Sequence, residues 1–172
     1  MKVFMGIDQS FTSTGIVILN NNSEILHVTI ISSEKNVDFF ERAYIISQEI
    51  NKLIIEHNVT DITLEGLAFG GVGNATRQLS GLQYTIVIGI RKTLSKEIGI
   101  IPPTTLKKFA TGKGAASKVD MYNSTPEEVK TYFSTQNIKK TKGLYDCVDA
   151  YWLARYSITQ EDKESNENTK EI

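Results

Sequence analysis

Four acidic residues stand where chain geometry could gather them. Asp8 closes the apolar run Val3-Phe4-Met5-Gly6-Ile7, Glu65 closes Ile62-Thr63-Leu64, and Asp146 and Asp149 lie three apart in the otherwise apolar segment Tyr145 to Trp152. A spacing of three puts both aspartates on one face of a helix. If the two apolar runs are parallel strands, Asp8 and Glu65 project from the same end of a sheet, where α/β folds hold their ligands. Each acid also has an ordinary role: Asp8 as a turn former, Glu65 as a solvated strand end, Asp146 as a complement to a helix N-terminus beside a solvated Asp149. Gathered, they would crowd like charges, and a hard cation with oxygen ligands would compensate them.

The rest of the composition narrows that chemistry. His27 and His57 are the only histidines and Cys147 the only cysteine, which excludes an intramolecular disulfide, a cysteine-based zinc site and most histidine-dependent triads. An all-oxygen set suits Mg²⁺ or Mn²⁺, and two such ions suit in-line displacement at phosphorus. No run approaches the ~20 apolar residues of a membrane span, and Met1 to Met5 leads into Asp8 without a signal-peptide core, so a cytoplasmic protein is expected.

The elements that must position these acids follow from periodicity. β-prone residues at 2–8, 15–20 and 25–33 predict three antiparallel strands, with Asn20-Asn21-Asn22-Ser23 as a hairpin turn. Apolar residues at helical spacing from Val37 to His57 predict a long helix on that sheet. A strand at 60–65, a glycine-rich loop at 66–73, a helix at 74–96 capped by Asn74, and a strand at 98–101 stopped by Pro102-Pro103 complete an alternating pattern. Thr104 caps a short helix ending near Gly112, Thr125-Pro126-Glu127-Glu128 starts another, and a last helix spans about Gly143 to Ile158. Residues 1–158 read as one domain. Thr159 to Ile172, with five acids and two lysines, reads as a solvated, disordered tail.

Formal net charge is −1, which excludes a uniformly basic DNA-coating protein. Charge is nevertheless segregated, because Ile101 to Gly143 holds eight lysines against Asp120, Glu127 and Glu128. Such a stretch is either a solvated face or a surface for a phosphate backbone.

Several short blocks recur in a definite order: Gly6-Ile7-Asp8 with Thr14-Gly15, Leu64-Glu65-Gly66, Arg77-Gln78-Leu79-Ser80-Gly81, and Asp146 with Asp149-Ala150. Between them stand Pro102-Pro103, Leu106-Lys107 and Gly112-Lys113-Gly114-Ala115-Ala116-Ser117-Lys118. In order and spacing, from residue 3 to about 155, the set resembles the RuvC family of Holliday junction resolvases. The resemblance implies an α/β, ribonuclease H-like fold with a mixed five-stranded sheet flanked by helices. It implies cleavage of four-way and other branched DNA by a homodimer, with Asp8, Glu65, Asp146 and Asp149 binding two Mg²⁺ or Mn²⁺ ions. Lys118 would act at the scissile phosphate, Lys107, Lys113 and Arg77 would hold DNA, and Phe69 would insert into the junction. The helix carrying Leu79, Leu82, Ile86, Val87 and Ile90 is the expected dimer interface.

Two features depart from the family pattern: Phe69 lies four positions after Glu65 rather than three, and Val119-Asp120-Met121 replaces a polar continuation of Lys118. The divergence and the acidic tail look like those of a phage-encoded member. An alternative is a catalytically silent branched-DNA-binding or regulatory domain of the same fold. Gly6-Ile7-Asp8-Gln9-Ser10 also resembles the first phosphate loop of sugar kinases and actin-like ATPases, whose two-domain architecture a chain of 172 residues does not accommodate.

Overall fold

The computed structural model describes residues 2–67 and 73–168, without the side chains of Lys142 and of 164–168. Strands β1 (Val3–Asp8), β2 (Thr14–Asn20), β3 (Ile25–Ile31), β4 (Asp61–Glu65) and β5 (Gly99–Ile101) form one sheet in the order β3-β2-β1-β4-β5. β1 pairs antiparallel with β2, from Val3 opposite Asn20 to Asp8 opposite Gly15. It pairs parallel with β4, Ile7 standing opposite Leu64. The mixed five-stranded sheet flanked by helices is therefore present.

Strict alternation along the strands assigns each side chain a layer. Val3, Met5 and Ile7 of β1 join Ile16, Ile18, Ile62 and Leu64 in a core beneath helices α1 (Phe39–Glu56) and α2 (Asn74–Leu94). Phe4, Val17, Leu19 and Val28 join the opposite core, which is covered by α6 (Leu144–Asn168) with α3 (Pro103–Thr111), α4 (Lys118–Ser124) and α5 (Glu127–Thr135). Gly6 and Asp8 share the face of Phe4, and Glu65 lies on the α6 side of β4.

On that face α6 approaches the sheet backbone to backbone. A Cβ on Gly6 would lie 1.9 Å from the Ala150 carbonyl oxygen and 2.6 Å from the Ala154 nitrogen, and one on Gly15 would lie 2.3 Å from the Asp146 oxygen. Ala150 and Ala154 are fully buried in the seam. Nothing bulkier than hydrogen fits at the two glycines.

Several helix ends differ from the sequence expectation. Gly73, with φ at +121°, precedes Asn74, so Asn74 is the first residue of α2 rather than its cap. Pro103 opens α3 ahead of Thr104, its fixed φ and missing N–H being harmless at a first helical position. Thr125 closes α4 as its C-cap and leaves the N-cap of α5 to Pro126, its hydroxyl donating to the Met121 carbonyl at 3.0 Å and accepting from Trp152 Nε1 at 3.2 Å. Helix α4 is additional, nucleated by a capping box between Ser117 and Asp120.

α6 continues past Ile158 to Asn168, so the segment expected as a disordered tail begins as helix. Its glutamates, lysine and glutamine are good helix formers, and an ion pair of Glu161 with Lys2 ties the extension to the start of β1. On α2, Leu82, Ile86 and Ile90 are core residues, and Leu79 and Val87 pack against that core. The large apolar residues this helix exposes are Tyr84 and Ile88. No described helix is long and apolar enough to cross a membrane.

The seam predicts a sharp contrast. Gly6→Ala should destabilise the protein by ~3 kcal/mol or more, because the clashing atoms are backbone and cannot move aside. Gly114→Ala, whose Cβ would meet the Thr104 oxygen at an ordinary 3.4 Å, should change stability by less than ~1 kcal/mol in urea unfolding.

Candidate active site

Three elements converge on the carboxylates. Parallel pairing of β1 and β4 brings Asp8 and Glu65 out at the same sheet end, as the sequence required if the strands were parallel. α6 then delivers Asp146 and Asp149 from above, and its first turn is fixed by Gly143, whose φ of +76° is a left-handed conformation. Ser13, in the turn between β1 and β2, donates its hydroxyl to Asp146 Oδ2 at 2.5 Å. All four acids line one cavity of about 350 Å³, together with Gln9, Ser10, Pro103, Lys107, Lys118 and Met121.

The electrostatics of this cavity are those of a negative charge in search of cations. Burial, followed by Glu65, Asp149 and Asp146, holds the Asp8 carboxyl well above the usual carboxylate range. Glu65 is also raised, mainly by burial, while a hydrogen bond from Asp8 and the nearby Lys107 and Lys118 pull it back. Asp149 is raised to about 7, again by burial first and Glu65 next. Lys118 Nζ stands 3.9 Å from Asp146 Oδ1 and is largely exposed, a distance and setting that leave it free to reach a second anion. Burial, Asp146 and Asp8 push the Cys147 thiol up to about 12, which removes it as a nucleophile.

The donor set fits a hard divalent cation. It contains only oxygen donors, and burial with mutual repulsion raises Asp8, Glu65 and Asp149, a conflict that a cation would relieve. Among the described residues no three His, Cys, Asp or Glu side chains draw together into a ready-made metal cage. The four carboxylates surround a cavity instead.

Other expected site residues fall elsewhere. Lys113 lies in a separate cleft with Thr111, Asp120, Asn123 and Ser124. Arg77 is exposed on the first turns of α2 and does not line the acidic cavity. Phe69 lies outside the described residues. Gln9, Ser10, Ser13, Pro103 and Met121 were not foreseen as site residues. Gln9, Ser10 and Ser13 carried a signal in their closeness in sequence to Asp8, and Pro103 in the Pro102-Pro103 block.

No protein-family model matches the chain. Among solved structures it is similar to RuvC of Thermus thermophilus, with a TM-score of 0.67 and 14% identity over 88% of this chain and 90% of that one. The same protein in complex with a Holliday junction substrate gives a TM-score of 0.70 at 15% identity, covering 90% and 91%. The yeast mitochondrial Holliday junction resolvase Ydc2 gives 0.63 at 16% identity, covering 98% and 83%. The fold is thus ribonuclease H-like. Within that class it is the RuvC-type fold over most of its length.

The raised carboxyls carry a pH dependence. Below the ordinary carboxylate range near pH 4, the folded and unfolded chains both hold the Asp149 proton. Between there and about pH 7 only the folded chain holds it, so metal-free stability falls as pH rises through this window and stays low above it. Asp149→Asn should therefore raise the melting temperature in EDTA at pH 8 by ~2–5 °C, with the gain gone at pH 4. A lower melting temperature at pH 8 would show that Asp149 is not in electrostatic conflict.

Proposed function

We propose that the chain is a metal-dependent endonuclease that cuts branched DNA, four-way junctions in particular, in the manner of a RuvC-type resolvase. The observation that carries this reading is the convergence of Asp8, Glu65, Asp146 and Asp149 on one cavity flanked by Lys107 and Lys118, within this fold. Mg²⁺ or Mn²⁺, two per site, supplies when bound the activation of water and the stabilisation of the leaving oxygen.

The chain's own groups do the rest. Asp8, Glu65, Asp146 and Asp149 would hold the ions, their carboxylate oxygens facing one cavity. Ser13 fixes the Asp146 carboxylate through its hydrogen bond. Lys118 and Lys107 stand at the cavity mouth, where their charge holds the scissile phosphate and offsets the negative charge that develops on it. Lys113 and Lys108, exposed nearby on the same basic segment, extend the grip on the backbone.

Metal chemistry and junction binding should separate. Asp8→Asn keeps the side chain's shape but removes a ligand charge, and it should lower the cleavage rate on the order of 10³-fold while a gel shift with a four-way junction persists. Binding should weaken with rising salt, since lysine contacts with phosphates dominate it. EDTA should abolish cutting of the wild type. Paired nicks confined to the junction would support the reading. A metal-treated wild-type protein that binds junctions and never nicks them would favour the silent DNA-binding alternative.

Symmetric nicking needs two sites, and each chain supplies one, so the active form is a homodimer. Tyr84 and Ile88, 67% and 55% exposed, lie four apart on the outer face of α2 and provide its apolar contact. Ile88→Asp should shift the protein towards monomer in sedimentation at micromolar concentration and reduce paired nicking, with its melting temperature nearly unchanged.

A further inference from the structure

Gln9 follows Asp8, lines the acidic cavity and is only 6% exposed. Its Nε2 donates twice, to the Glu65 carbonyl at 3.1 Å and to Gln83 Oε1 on α2 at 2.7 Å. Both amide hydrogens are thus committed, whereas Oε1 is buried without a partner among the described residues. The unpaired oxygen offsets part of what the two donated bonds contribute, so the amide is a costly choice for this position. A local rule broken beside a chemical site points to a role in that site.

The bond to Glu65 has a specific consequence. Its carbonyl and the following N–H of Gly66 belong to one planar peptide group. The Gly66 N–H donates to the Ile101 carbonyl at 2.7 Å, and Gln9 holds the opposite side of the same plane. Gripped on both sides, the peptide cannot rotate, and the Glu65 side chain leaves from a fixed backbone at the end of β4. Without Gln9 the plane is held from β5 alone.

We infer that Gln9 is a positioning residue: anchored to α2 by Gln83, it locks the Glu65–Gly66 peptide and so sets the Glu65 carboxylate against Asp8. This rests on the nuclease reading of the site. It also links the site to α2, because Gln83 adjoins Tyr84 on the helix that carries the exposed apolar pair.

The hydrogen bond has a direction, which supplies the test. Gln83 accepts, so Gln83→Glu keeps the link, while Gln83→Met and Gln9→Met remove it at similar side-chain length. Full-length variants are compared by Mn²⁺ titration without DNA, single-turnover cleavage of a bound four-way junction in Mg²⁺, junction affinity in EDTA, and melting temperature. Gln9→Met should weaken Mn²⁺ binding and slow cleavage, each by ~10-fold, with junction affinity within ~2-fold. Gln83→Met should move both in the same direction, the double variant should be no worse than Gln9→Met, and Gln83→Glu should stay near wild type.

Unchanged Mn²⁺ affinity in Gln9→Met overturns the inference, as does a loss confined to melting temperature. Equal impairment of Gln83→Glu and Gln83→Met overturns it too. A wild-type protein that binds Mn²⁺ and leaves the junction intact overturns the nuclease reading instead, and the Mn²⁺ titration still decides the role of Gln9.

Discussion

The close approach of α6 to the sheet is the constraint on which the rest depends. Helices ordinarily rest on sheets through interlocking side chains, whereas here the backbone of α6 lies against Gly6 and Gly15 with no side chain between. The same alternation that turns Gly6 towards α6 turns Asp8 the same way, two residues on and just beyond the helix's edge. Because Gly15 meets the backbone of Asp146 itself, the helix cannot slide along the strand without a clash. Packing and chemistry are thus one arrangement: the contact that closes the core fixes where Asp146 and Asp149 stand relative to Asp8.

That arrangement opposes the stability of the empty fold. Burial and mutual repulsion raise Asp8, Glu65 and Asp149, and the nearby lysines offset only part of the effect. A structure selected for stability alone would replace these acids with apolar or amide side chains. The large interlocked cores on both sheet faces tolerate the conflict, since each contains more than a dozen buried residues and the acids sit at the margin between sheet and helix. Cations entering the cavity would convert the repulsion into coordination, which makes binding and local order linked processes.

How much of this was legible in the sequence depended on whether a residue's role was set locally. The apolar runs ending in Asp8 and Glu65, and the aspartate pair within a helical segment, carried their geometry in their spacing, and the structure brings all four to one cavity. α4 was passed over because Ser117 and Asp120 follow a glycine-rich break, although the capping box was there to be read. Apolar spacing on α2 could not separate core from exposed positions: Leu82, Ile86 and Ile90 point inward, leaving the less conspicuous Tyr84 and Ile88 outside. The role of Gln9 depends on Gln83, 74 residues away, and no local pattern contains that information. The helical extension beyond Ile158 was hidden because acidic composition suggests disorder, while helix propensity and the ion pair of Lys2 with Glu161 act the other way.

The course of α6 also bears on the apparent conflict between a net charge of −1 and the polyanionic substrate proposed above. The helix starts over the carboxylate end of β1, passes Gly6 at Ala150 and Ala154, and reaches Lys2 at Glu161, so it runs opposite to β1. From Asp149 to Glu161 a helix rises ~18 Å, which carries the acids of its far end to the other side of the domain. Lys107 of α3 and Lys118 of α4 enter the chain between β5 and α6 and line the cavity. Screening in salt confines each set of charges to a range of ~10 Å, so DNA at the cavity would meet Lys107 and Lys118 before it felt the acidic end of α6. Net charge therefore says little about binding here, because Lys107 and Lys118 beside the cavity and the acids at the far end of α6 lie at different ends of the sheet.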